Sequence, residues 1–243
     1  MRSRDRRSLA ALIFAACAAA VALPRPVSAL SERVERFQGT ARDTYGEVLY
    51  VESHDVRSRG ERLLSAITTY RDAAGEVIAV LTTDFSRDPF APSYRFEDRR
   101  FAVIEEVQVL DGALTLGAGG RRRTLSLPTD PARPLVAGQG LDRYVRDQLP
   151  ALAGGAELQV AFAIPSRRDA YDFRLRAVRA DASKVRVRVE IDSWVLRIFA
   201  SSLDVEYDRE TRRLLRYRGP SNLVDEDGEH PEVEITYAYP DAR

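Results

Sequence analysis

Apolar and polar residues alternate strictly along much of the second half of the chain. Val185, Val187, Val189 and Ile191 alternate with Lys184, Arg186, Arg188, Glu190 and Asp192. Leu158, Val160, Phe162 and Ile164 alternate with Glu157, Gln159, Ala161 and Ala163, and Val233, Ile235, Tyr237 and Tyr239 with Glu232, Glu234, Thr236 and Ala238. Tyr171, Phe173 and Leu175 repeat the pattern with Asp172, Arg174 and Arg176. Side chains on a strand point to opposite faces in turn, so each segment predicts a strand with one dry and one wet face. One wet face marks antiparallel sheet, because parallel sheet covered on both sides reads as unbroken apolar runs.

Looser alternation predicts further strands over 47–53, 62–71, 76–85, 101–110 and 113–116, near 123–127, and over 214–217. Turn residues separate them: Ala73-Ala74-Gly75, the hairpin dipeptide Asp111-Gly112, and the stretch 208–211. A different period appears once. Leu141, Tyr144, Val145, Gln148, Leu149 and Leu152 fall at i, i+3, i+4, i+7, i+8 and i+11, one face of a helix. Gly138 and Gly140 precede it, Gly154-Gly155 end it, and Pro150 weakens its last turn. A second, short helix is predicted over 30–37. About ten strands and one long helix predict a mainly β fold. The expected architecture is a strongly curved antiparallel sheet, a half-barrel or barrel, with the amphipathic helix across its concave face; a β-sandwich is the alternative.

The first 29 residues carry none of these patterns. Arg2, Arg4, Arg6 and Arg7 form a basic start, residues 9–23 an apolar stretch of 15, and Pro24-Arg25-Pro26 a helix break before Val27-Ser28-Ala29. This is the layout of an export signal cleaved after Ala29, leaving 30–243 as one β-rich domain in the periplasm. Two alternatives lie inside it. Phe14-Ala15-Ala16-Cys17 resembles a lipoprotein box that would leave the protein lipid-anchored at Cys17, and Arg6-Arg7-Ser8-Leu9 resembles a twin-arginine signal.

Composition narrows the function classes. The chain is 44% apolar and 30% charged with net charge zero, which fits a folded globular protein and excludes a strongly basic nucleic-acid binder. Removing five Arg and one Asp with the leader leaves 32 basic and 36 acidic residues, a net −4. The single Cys leaves too, so no disulfide is expected. No later apolar run approaches the ~20 residues of a spanning helix.

Candidate chemistry is sparse. His54 and His230 have no second His or Cys at ligand spacing, so neither a metal nor a cofactor is expected. Ser53-His54-Asp55 contains triad residue types, but strand neighbours face opposite ways; a polar cluster at a strand end is the expectation. Asp225 to His230 reads as a solvated acidic turn, and Gly117 to Arg123 as a β-turn with a basic shoulder. Glu105-Glu106 and Asp84 with Asp88 are carboxylate pairs to which no catalytic role is assigned. Trp194-Val195-Leu196-Arg197-Ile198-Phe199 abandons alternation and holds the only Trp, either as the lip of an apolar cavity or as core.

The segment from Tyr207-Asp208 through Thr211-Arg212-Arg213-Leu214 to Gly219-Pro220-Ser221-Asn222 resembles secreted proteobacterial proteins of unknown function. The resemblance extends through Phe37-Gln38-Gly39-Thr40-Ala41 and Glu47-Val48-Leu49-Tyr50 and implies no activity. In strand pattern the chain is also similar to the periplasmic carriers of the lipoprotein localisation system, half-barrels that hold acyl chains against a helix lid. The expected function is a non-enzymatic periplasmic binding protein for a lipid, acyl chain or other apolar ligand. Trp194, Leu196, Phe199, Tyr144, Val145 and Leu149 are its candidate ligand contacts, and Arg122, Arg123 and Arg197 its candidate headgroup contacts. The alternatives are a cell-envelope interaction or scaffold protein without a cavity, and a hydrolase using His54 or His230.

Overall fold

The computed structural model of the protein describes residues 31–110, 112–126, 130–192 and 202–240. The expected export signal, with its expected cleavage position, and Cys17 lie outside them. In chain order the elements are β1 (Glu32–Arg42), β2 (Val48–Arg59), β3 (Arg62–Arg71), β4 (Val77–Asp84), β5 (Ser93–Asp98), β6 (Val103–Leu110), β7 (Ala113–Ala118) and β8 (Arg121–Ser126). Then follow β9 (Leu135–Ala137), α1 (Gly140–Ala153), β10 (Glu157–Ile164), a 3-10 turn (Pro165–Arg167), β11 (Asp169–Ala180), β12 (Lys184–Ile191), β13 (Leu203–Asp208), β14 (Leu214–Pro220) and β15 (Glu232–Ala238).

All of these strands form one ladder, in the order β8-β7-β6-β5-β4-β3-β2-β1-β15-β14-β13-β12-β11-β10-β9. Every pairing is antiparallel except β9 with β10. A sandwich would need two ladders; here backbone pairing runs unbroken from β8 to β9, so the single curved sheet is the architecture. Over its described part, the helix expected over 30–37 is not formed. Residues 32–37 open β1, which pairs with β2 from Glu32 to Arg42 and with β15 from Gln38 onward. Leu30, Val34 and Phe37 fall at helical spacing, but the β2 ladder pairs residues 32–37 and decides their conformation.

Residues directly opposite each other in an antiparallel pair share a face, so the concave surface can be followed across the register. It runs from Val160 to Phe173, Ile191 and, on neighbouring rows, Val187 to Val205, Tyr217, Ile235, Ala41 and Tyr50. It continues from Glu52 to Tyr70 and Ala79, then from Leu81 to Phe96 and Glu105, and from Val107 to Leu116 and Arg123. Helix α1 lies on the β10–β14 part of this face: Tyr144, Val145, Leu149 and Leu152 share a core with Val136, Val160, Leu175, Val187 and Val205.

The two ends of the ladder overlap. Leu135, Ala137, Ala161 and Ala163, on the side of β9 and β10 away from the helix, pack against Val107, Val109, Leu114 and Leu116 from the concave face of β6 and β7. The sheet is therefore a roll, with β9 and the second half of β10 tucked inside β6–β7 and covered on both faces. The Arg123 guanidinium on β8 reaches Asp169 at 2.7 Å across the overlap, and the Ala137 amide donates to the Phe90 carbonyl at 3.0 Å, covering the free edge of β9. On the convex face, cross-strand ion pairs replace apolar contacts, including Arg174–Glu190, Arg188–Asp204 and Arg186–Glu206.

Candidate functional site

The interior of the roll divides into an apolar seam and a polar chain, and α1 touches both. The seam is the contact between the helix and β9–β14. Val145 is 1% exposed, Leu149 2% and Leu152 0%. Phe90 meets the ring of Tyr144 edge-on at 5.4 Å between centroids, and burial pushes the Tyr144 phenol pKa upward. Three of the expected ligand contacts, Tyr144, Val145 and Leu149, thus lie together on the helix face that fills the seam. Trp194, Leu196, Arg197 and Phe199 lie outside the described residues.

The polar chain starts at the N-terminus of α1. The Thr83 hydroxyl donates to Gln139 Oε1 at 2.7 Å, and Gln139 Nε2 donates to Thr68 Oγ1 at 3.0 Å. Thr68 Oγ1 lies 2.9 Å from His54 Nδ1. Either atom can be the donor in this pair, and the other ring nitrogen of His54 is Nε2. That Nε2 is buried without a hydrogen-bond partner, 3.6 Å from Glu52 Oε1, which accepts the Tyr237 hydroxyl at 2.8 Å. Phe37 stacks on the His54 ring at 4.4 Å. Burial and the Glu52 carboxylate both drive the Tyr237 phenol pKa far upward.

His54 is therefore mid-strand and interior, 8% exposed, and not part of a cluster at a strand end. The reason is register: His54 faces Phe37 and Thr68 across two ladders, while Ser53 and Asp55 turn to the convex face, where Asp55 pairs with Arg36 at 2.7 Å. Glu52, His54 and Thr68 have the residue types of a nucleophile relay, but the Thr68 hydroxyl is fully buried and engaged by Gln139 and His54. His230 Nδ1 contacts the Ser221 carbonyl at 2.8 Å, and the Ser221 hydroxyl is engaged with Tyr50 and the Leu223 amide.

A second tether holds the same half of the helix. The Tyr207 hydroxyl donates to Asp142 at 2.9 Å, and Arg146 reaches Asp142 at 2.8 Å. Burial would lower the Arg146 pKa, but Asp142 and the nearby tyrosines hold it raised. Burial raises the Tyr239 phenol to about 12 despite Arg146 beside it.

The two described headgroup candidates do not converge on the seam. Arg122 lies on the convex face and pairs with Glu106 at 2.8 Å, and Arg123 is spent on Asp169 in the overlap. Among the described residues no group of His, Cys, Asp and Glu is placed to hold a metal ion, and no helix is long and apolar enough to cross a membrane. Sequence reasoning missed Glu52, Thr68, Thr83, Gln139 and Tyr237, because what joins them is register across β1–β4 and β15, which no local spacing reveals.

No family model matches the chain, and no curated protein matches it. Among solved structures, the chain is similar to a crystal structure from Brucella abortus described as a beta-barrel-like protein of domain of unknown function DUF1849. The TM-score is 0.48 and the identity 10%, over 86% of this chain and 98% of that one.

Proposed function

We propose that the protein is a non-enzymatic binding protein of the cell envelope, exported to the periplasm, that takes a lipid, acyl chain or other apolar ligand along the seam beneath α1. The seam carries this reading. Its walls, from Val136 and Val160 to Leu175, Val187 and Val205, are aliphatic, so an alkyl chain can replace a helix face there without stranding a polar group. Elsewhere in the interior Glu52, His54 and Thr68 would be left unpaired by the same exchange.

The helix is held unequally. Gln139 and Asp142 tie its first half by hydrogen bonds to Thr68, Thr83 and Tyr207, whereas its last turn rests on Leu149 and Leu152 and contains Pro150, which has no amide to donate. Lifting that turn exposes two leucines at about 1.5–3 kcal/mol each, which roughly four to eight buried methylenes offset at about 0.8 kcal/mol apiece. A fatty acyl chain supplies more than that.

The complete burial of Val145, Leu149 and Leu152 favours a second reading, an envelope interaction or scaffold protein whose interior is core alone. Mass spectrometry of an organic extract, with calorimetric titration of palmitate into the purified protein, separates the two. Stoichiometric acyl lipid and saturable palmitate heat support carriage. An empty extract with no heat overturns it and leaves the scaffold.

A further inference from the structure

On the convex face, at the β11–β12 hairpin, lies a shallow cleft of about 260 Å³ lined by Arg179, Asp181, Lys184, Arg186, Glu206 and Arg216. Four cations face two carboxylates there, an excess of +2 on a chain whose net charge is zero. Neither carboxylate is free. Glu206 gives one oxygen to Lys184 at 3.1 Å and the other to Arg186 at 3.0 Å; burial would raise its pKa, but these two cations keep it lowered. Asp181 closes the hairpin by accepting the amides of Ser183 and Lys184, which with the Ser183 hydroxyl and Arg179 lower its pKa to about 2. Arg179 reaches it only at 3.4 Å, and Arg216 finds Glu234 at 3.7 Å.

How Arg179 reaches this face is the informative feature. Alternation along β11 puts Asp172, Arg174 and Arg176 outward and would send Arg179 inward. The register slips between Ala177 and Arg179, and the extra residue sets Arg179 directly opposite Arg186. Bulges re-aim side chains in this way. Here the result is two like charges facing each other across a ladder, which by itself destabilises the sheet. The next outward row repeats it, Arg176 opposite Arg188, but there Arg188 is neutralised by two 2.8 Å bonds to Asp204. The Arg179–Arg186 pair is less fully neutralised: Arg186 shares Glu206 with Lys184, and Arg179 meets Asp181 only at 3.4 Å.

We propose that this cleft binds the phosphate group of an anionic ligand, with Arg179 and Arg186 as the fork and Lys184 and Arg216 at its sides. A tetrahedral oxyanion offers an acceptor to each cation and removes the like-charge repulsion, and the cleft has roughly nine water volumes of room for it. The inference is independent of the seam beneath α1, since the cleft is on the opposite face of the sheet. The phosphate can belong to a lipid headgroup or to a free phosphate compound.

The test uses pyrophosphate by calorimetry, and sedimentation with phosphatidylcholine vesicles with and without phosphatidylglycerol. Each probe is measured against the parent protein, Arg179→Gln, Arg186→Gln, and Arg57→Gln on the distant part of the convex face. The expected result is binding that weakens about tenfold in either cleft variant and is unchanged in Arg57→Gln. Arg179→Gln should meanwhile keep or raise the thermal midpoint, because it removes repulsion; a merely structural arginine would not separate the two readouts. Binding to phosphatidylglycerol vesicles assigns a headgroup, and binding to pyrophosphate without vesicles assigns a free phosphate ligand. No binding to either probe, or binding that Arg179→Gln and Arg186→Gln leave intact, overturns the proposal.

Discussion

Gly140→Ala sets helix propensity against packing, and the two predict opposite signs. Gly140 is the first residue of α1, and in a free helix alanine there would be worth about 1 kcal/mol over glycine. In the roll, a Cβ on residue 140 would stand 1.8 Å from the Phe90 carbonyl oxygen and 2.5 Å from its carbon. Both are backbone atoms, and that oxygen already accepts the Ala137 amide at 3.0 Å. Relief requires the helix start to move away from the loop before β5. Overpacking of this kind costs about 1–3 kcal/mol. The shift also loosens the Ala137–Phe90 bond and the two Gln139 bonds to Thr68 and Thr83, at about 0.5–1.5 kcal/mol each. After subtracting the propensity gain, the net loss is about 1.5–6.5 kcal/mol. For a domain of this size, at about 2–4 °C per kcal/mol, that lowers the thermal midpoint by about 3–26 °C. Urea and thermal unfolding measure it directly. Gly75→Ala is the reference: Gly75 has φ +87 with open space around it, so its cost is conformational alone, about 1–2 kcal/mol. A Gly140→Ala protein as stable as the parent would refute the seating of α1 against Phe90.

Other expected outcomes follow from the same contacts. Tyr237→Phe removes the donor to the buried Glu52 carboxylate and should cost about 1–3 kcal/mol in urea unfolding, most of it recovered when Glu52→Gln is added. Burial raises the Glu105 pKa above 4.5, against the lowering effects of His230 and Ser166. A raised native carboxyl pKa means the folded state binds the extra proton, so stability falls as pH rises above the unfolded value. Glu105→Gln should therefore be more stable than the parent near neutral pH, with the gap closing below about pH 4.5. Arg188 holds the Asp204 carboxyl below its usual range, the opposite sign. Asp204→Asn should cost about 1 kcal/mol or less at pH 7, a cost that fades as pH falls below the unfolded value of 3.8 and through the lowered folded one, as read from midpoints across a pH series. Leu149→Ala should cost about 2–5 kcal/mol in chemical denaturation, because it empties the centre of the seam.

Much of the roll was legible from alternation. β10 and β12 were found almost to the residue, since their outward rows of Gln159, Arg186, Arg188 and Glu190 are charged or amide side chains and their inward rows aliphatic. The helix was legible for the same reason, with the period changed. Strands without contrast were not. β5 reads Ser-Tyr-Arg-Phe-Glu-Asp, and its inward Asp98 is polar because it grips Arg100 at 2.6 Å. β9 is three apolar residues buried on both faces, indistinguishable in sequence from a loop end. β1 misled because its inward row contains Glu35 and Gly39; Gly39 is needed where Glu52 presses against its Cα, with an added Cβ only 2.7 Å from Oε1. At the site, the helix residues of the seam were readable one by one. The Glu52–His54–Thr68–Gln139 chain was not, because it is assembled from strands and a helix start far apart along the chain.

The pairing of β1 with β15 places the first and last strands side by side in the middle of the ladder, while the seam of the roll falls between β8 and β9, which are consecutive in the chain. A gene rearranged to begin at β9 and end at β8, with β15 spliced to β1 by a connector, would encode every described strand in its spatial order. Each one would then pair with the strand made just before it. The molecule is, in that sense, a simple meander whose start has been moved to its midpoint.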